Sequence, residues 1–137
     1  MNAQSTLFMS FVQHSNRMLK RMDGQLSMHG ISFTEFQVLR HLSQAPQETM
    51  TRIDLARSVG LTASGVTRML APMEKLGLVK KESHPRDARV SLVKLSDSGR
   101  QICEDTSVTV SETAAELFSG LTESQQGSVQ SLLGKIS

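Results

Sequence analysis

The chain has 137 residues, 38% hydrophobic and 20% charged, with a formal net charge of +2; this composition excludes a disordered or fibrous protein and suits one ordinary domain. A single cysteine, Cys103, excludes an internal disulfide, and four scattered histidines form no recognisable metal site. No apolar run approaches a membrane span, and Met1-Asn-Ala-Gln-Ser5 lacks a basic segment followed by an apolar core, so a cytoplasmic protein with no membrane partner and no secretory signal is expected.

Residues 5–29 carry Leu7, Phe8, Phe11, Val12, Met18, Leu19, Met22 and Leu26 at helical spacing, with Arg17, Lys20 and Arg21 near the polar edge and Gly30 as a stop. A helix this long cannot bury its whole stripe against a small domain, so another chain is the expected cover. A basic helix lying on a membrane surface is the competing reading, weakened by Asp23 and the polar residues along the stripe. Ser32-Phe-Thr-Glu35 is a capping box that predicts a helix through about Ser43, with Phe36, Leu39 and Leu42 buried and Pro46 closing the connection. Thr51-Arg-Ile-Asp54 is a second box, with Asp in place of Glu, opening a short helix that carries Ile53, Leu55, Ala56 and Val59. Gly60 supplies a turn that a Cβ would strain. Thr62 caps the next helix, which runs to Leu76 before Gly77, with Val66 and Leu70 toward the core and Pro72 bending or ending it.

Leu78 to Ser83 reads as a strand, residues 84–88 as a turn, and Arg89 to Leu95 as the returning strand with Val93 and Leu95 inward. Ser96 caps another long helix, with Ile102, Thr106, Val110, Thr113 and Leu117 as its stripe and Gly120 at its end. Thr122-Glu-Ser-Gln125 opens a last helix carrying Val129, Leu132, Leu133 and Ile136.

Charge is uneven along this order. Residues 51–100 hold ten Lys and Arg against five Asp and Glu; residues 101–137 hold one against five. A basic centre suits a polyanion, whose counterions are released on binding; a solvated charged surface is the other reading. Two helices joined through Ser58-Val-Gly60-Leu61 make a helix-turn-helix, in which the second helix enters the major groove by its N-terminal residues. Those are Thr62, Ala63, Ser64, Gly65, Thr67 and Arg68: small and hydroxyl side chains that let the backbone approach, and one guanidinium able to pair with guanine or clamp a phosphate. The charged hairpin that follows suits a wing. Arg86 and Arg89 flank its tip, where an arginine can enter a narrow minor groove. Asp87 is unsuited to DNA itself and is expected to accept hydrogen bonds from Arg89 or the turn amides; the alternative is a surface ion pair of little consequence.

Asp87-Ala-Arg89, then Leu95-Ser96-Asp-Ser-Gly99, resembles the wing and following helix start of the MarR family, the multiple antibiotic resistance regulators of bacteria and archaea; Val66-Thr67-Arg68 and Leu76-Gly77-Leu78-Val79 resemble its recognition helix and exit. Ala88 stands where many members carry a second arginine. The resemblance implies a mainly α fold with a small β-hairpin wing, in one domain over residues 1–137. Within it, residues 32–95 form the winged helix-turn-helix lobe, and residues 5–30 and 97–137 supply interdigitated dimerisation helices. It implies a homodimer that binds pseudo-palindromic promoter DNA, usually as a repressor, and often releases it when a small aromatic or phenolic compound binds. Carried onto this chain, the DNA contacts are Thr62, Ser64, Thr67, Arg68, Arg86 and Arg89. A ligand pocket is expected between the first two helices and the start of the long helix after the wing, with His14, Arg17, Met18, Met22 and His41 as candidate linings; ordinary packing is the alternative for those side chains.

Some members sense oxidants through a cysteine. Here Glu104 and Asp105 follow Cys103 and oppose a thiolate, so a buried structural cysteine is favoured over a redox-responsive one. A winged helix used for protein contact is a further alternative, against which the basic centre weighs. No Ser–His–Asp arrangement, phosphate loop or catalytic carboxylate pair stands out, so neither an enzyme nor a cofactor is expected.

Overall fold

Side-chain caps set most of the helix boundaries. In the computed structural model, which describes residues 1–136, Asn2 Oδ1 accepts from the Ser5 amide (2.7 Å) and starts α1, Ala3–Leu26, two residues before the expected point. (Ser137, the last residue of the expected C-terminal dimerisation segment, lies outside the described residues.) One 3₁₀ turn, Ser27–His29, then closes on Gly30 at φ 79°. Ser32 and Glu35 form the full reciprocal box at the start of α2, Phe33–Gln44. Thr51 caps α3, Arg52–Val59, through the Asp54 amide, but the box is only half made. Aspartate is one methylene shorter than glutamate, and its carboxylate turns to Arg57 (3.7 Å) instead. Thr62 caps α4, Ala63–Lys75, which runs on through Pro72 rather than stopping there. Ser96 caps α5, Asp97–Leu117, and the Thr122–Gln125 box caps α6, Glu123–Leu133.

The sheet has three antiparallel strands in the order β1-β3-β2: β1 Thr49–Thr51, β2 Val79–Ser83 and β3 Ser91–Leu95. The first of these was not anticipated, and β3 starts two residues later than expected. Val90 donates its amide to the Asp87 carbonyl (3.1 Å), so Arg89 and Val90 belong to the tip and the ladder begins at Ser83 opposite Ser91.

Leu26, Val38, Leu39, Leu42, Leu55, Val66, Leu70, Met73 and Val93 are fully buried in one core shared by α1–α4 and the sheet. Each such side chain contributes roughly 1.5–3 kcal/mol of burial. Of the apolar residues that α3 carries, Leu55 and Ala56 turn to the core, whereas Ile53 is 64% exposed. No described helix is long and apolar enough to cross a membrane.

The entry to β1 is strained and then braced. Gln47 (φ 57°) and Glu48 (φ 55°) both adopt the left-handed conformation without being glycine, which costs of order 1 kcal/mol or more each. Arg100 of α5 holds Glu48 with a two-pronged contact and also takes Asp97 at 2.8 Å. The Arg100 guanidinium holds both carboxyls below the ordinary carboxylate range, helped by Lys94 at Glu48 and by Lys80 at Asp97. A carboxyl whose folded pKa is lowered stabilises the fold above its unfolded pKa, and that contribution is lost as pH falls through the folded one. Urea midpoints measured from pH 6 down to pH 3 are therefore expected to fall, and to fall less steeply in Glu48→Gln; equal slopes would show the brace to be idle.

Candidate nucleic-acid interface

Two groups of polar side chains project from the lobe: the first turns of α4 and the β2–β3 tip. At α4 the Thr62 hydroxyl accepts from the Gly65 amide (3.0 Å) and contacts Ser64 Oγ (3.2 Å). Thr62 and Ser64 are both exposed beside the bare backbone of Gly65. Arg68 is exposed and makes no side-chain hydrogen bond or ion pair among the described residues. Thr67 is different. Its hydroxyl donates to the Ala63 carbonyl (3.1 Å) and accepts from Arg52 Nη1 (3.3 Å), so its proton is committed and one lone pair remains for an outside donor.

At the tip, Asp87 receives Arg89 through both carboxylate oxygens, Nε to Oδ1 at 3.1 Å and Nη2 to Oδ2 at 3.3 Å, and also accepts the Arg89 amide at 3.0 Å. Those bonds from Arg89 hold the Asp87 carboxyl below its ordinary range. The Arg89 side chain remains 91% exposed: it is aimed by its partner and not buried by it. Such a pair contributes little to stability, so its evident effect is orientation. Arg86 is exposed, with its amide on His84 Nδ1 (3.1 Å).

The expected pocket linings are only partly gathered. Met18 and Met22 line a cleft of about 260 Å³ with Ser15, Leu19, Phe33 and Leu117. Its third wall, after α1 and α2, is thus the end of α5, not its start. The reason is direction: α5 runs back along α1, and its last turn is tied there by Arg21 to Glu116, while its first turn presses on Leu78. His14 and Arg17 are exposed on α1 and His41 is half-buried on α2; none of the three lines the cleft. Cys103 is buried, and burial pushes its thiol pKa up against the hydrogen bonds from Ser43 and Ser107. That matches the structural reading of this cysteine and disfavours a sensor.

Sequence reasoning passed over Arg52, which bridges α4 and β3 (Glu74 Oε1 at 3.1 Å, Ser91 Oγ at 3.0 Å). A signal was present. Arg52 is the first residue of α3, at the positive end of the helix dipole, where a cation is unfavourable unless something else holds it.

A family model described as the MarR family matches residues 29–90, the lobe and most of the wing. Among solved structures, the chain is similar to a mutant MarR from E. coli complexed with operator DNA at 27% identity, covering 95% of this chain and 92% of that one with a TM-score of 0.87. It is similar in fold to Sco3205, a MarR family transcriptional regulator from Streptomyces coelicolor in complex with DNA (24% identity, 97% and 85% covered, TM-score 0.88). The S. aureus MepR–DNA complex has the same fold (24% identity, 98% and 96% covered, TM-score 0.83). Local caps, hairpin register and these likenesses agree: the chain has a winged helix-turn-helix fold, and its residues 29–90 match the MarR family.

Proposed function

We propose that this chain is a cytoplasmic, sequence-specific DNA-binding transcription regulator that works by binding and carries out no catalysis. The observation that carries the reading is the pairing of an open, hydroxyl-capped helix end bearing Arg68 with an exposed Arg89 that Asp87 holds in position. Helix N-termini favour phosphate, and an oriented guanidinium suits a narrow groove. The similar E. coli and S. coelicolor proteins were both solved in complex with DNA, which supports the same reading. In this reading Thr62, Ser64, Thr67 and Arg68 meet the major groove, Arg86 and Arg89 the minor groove, and Asp87 supports the wing.

The proposed working unit is a homodimer on a pseudo-palindromic site. Its support is the apolar surface left on the long arms: Phe8 is 66% and Leu132 59% exposed, and Leu7, Phe11, Val129 and Leu133 join them around one cleft of about 680 Å³. We further propose repression relieved by a small aromatic or phenolic compound, for which the apolar Met18–Met22 cleft is the candidate site.

Selection from a random duplex pool tests the central reading. A two-fold symmetric consensus with half-sites about one helical turn apart is expected, and Arg89→Ala should weaken binding to it by about 1–3 kcal/mol. A pool that yields no consensus at low salt would defeat the reading; wild-type affinity in Arg89→Ala would defeat the wing assignment alone.

A further inference from the structure

The two reading elements belong to different parts of the chain. Val66, Leu70 and Met73 fasten one face of α4 to the core, but the β2–β3 tip projects beyond the buried residues of its strands, Val79, Val93 and Leu95, and among the described residues no apolar contact ties it to the exposed face of α4. Core packing of this kind fixes α4 but leaves the hairpin free to bend toward or away from it. Something close to the tips has to set the distance between them if both grooves are to be entered in register.

Arg52 occupies that place. Its side chain is 17% exposed, and its three nitrogens reach three residues on two elements, α4 and β3. Nε donates to Ser91 Oγ (3.0 Å), on the first residue of β3 after the tip; Nη1 donates to Thr67 Oγ1 (3.3 Å), in the second turn of α4; Nη2 donates to Glu74 Oε1 (3.1 Å), which neutralises the guanidinium from further along α4. The planar fork makes these bonds at once in one fixed geometry. A lysine, with one ammonium on a flexible stem, cannot reproduce the set.

We propose that Arg52 is a positioning residue for DNA recognition: a clamp that locks the recognition helix to the wing and so sets the spacing at which the two grooves are read. This rests on the DNA-binding reading above. It assigns specificity to a residue on the first helix of the motif, away from the base-reading turn. Three of its five donors are spent inside the protein, so its effect reaches DNA through Thr67 and Ser91.

The test uses the full chain, with Arg52→Met, Arg52→Lys and Ser91→Ala, the last removing only the wing bond and sparing the fold if the others do not. Without DNA, amide exchange is expected to rise about tenfold or more at residues 63–67 and 91–92 in both Arg52 variants, with core amides such as Leu39 unchanged. With the duplex selected by the wild type, affinity is expected to fall about tenfold in Arg52→Met and Arg52→Lys alike, and about threefold in Ser91→Ala. Binding to random-sequence duplex and the dependence of log affinity on log salt should stay as in the wild type. A salt slope smaller by about one would make Arg52 a direct phosphate contact and overturn the proposal. So would full rescue by lysine, unchanged exchange at both segments, or selected-site affinity within twofold of wild type in every variant. A wild-type chain that selects no duplex sinks the DNA-binding reading and this role with it; a wild type that binds and variants that do not differ sink this role alone.

Discussion

Gly99→Ala is expected to destabilise the protein by roughly 3 kcal/mol or more, measured as a fall in the urea midpoint at unchanged slope. A Cβ at this position would fall against the Leu78 carbonyl oxygen and lie 2.9 Å from Leu95 Cδ1. The oxygen is backbone and cannot rotate away. It is also in use: it accepts the Ser96 amide at 3.1 Å, while the Ser96 hydroxyl donates to the Gly77 carbonyl and accepts the Gly99 amide at 2.9 Å. The turn at Gly77 and Leu78, the cap of α5 and the end of β3 therefore meet within one residue of each other. Adding a methyl group has to push α5 off the sheet, and with it the arm that α5 carries. At Gly24, where nothing lies within 4 Å of the place a methyl group would take, Gly24→Ala is the control and should be neutral or slightly stabilising, since alanine favours the helix interior. Equal midpoints for Gly99→Ala and wild type would mean that the close approach of α5 to Leu78 is not real.

Phe8→Asp combined with Leu132→Asp is expected to turn a dimer into a monomer at micromolar concentration, read by sedimentation equilibrium, while the winged lobe stays folded. The first four turns of α1 contribute no buried side chain; its buried residues, Met22 and Leu26, lie at the other end. None of the residues of α6 is buried. Yet the two segments gather their exposed apolar side chains around one cleft with almost no polar surface. Two carboxylates placed in a face that two copies share would each lose hydration without gaining a partner. For DNA the consequence is larger than the loss of one contact. Two linked lobes bind the second half-site at a high effective concentration, which is worth about a hundredfold or more. The double variant should lose that factor on the selected two-fold duplex and keep wild-type affinity for a single half-site. A wild type that sediments as a monomer, or a double variant that remains a dimer, would remove the arms from the interface.

What the sequence determined by itself was local. Ser32 with Glu35, Thr122 with Gln125, and the caps at Thr62 and Ser96 place their helices because each cap is a bond between residues three apart, wholly contained in the string. Gly60 and Gly77 mark left-handed turns for the same reason. The Asp87–Arg89 pair lies two residues apart and was equally open to reading, and with it the wing tip and the resemblance to the MarR family. Only the tertiary structure could decide relations between distant residues. The three-residue strand β1 is too short to show a period, and it exists because β3 offers it a ladder and Arg100, 52 residues away, holds its strained entry. The exposure of Ile53 depends on how a two-turn helix is rotated against the core, which a short periodic pattern leaves free. The end of α5, and not its start, walls the Met18–Met22 cleft because the helix reverses along α1. Arg52 joins residues 15, 22 and 39 positions away. Short-range hydrogen bonds are written in the order of the residues; the distances between groove-reading elements arise only when the chain packs.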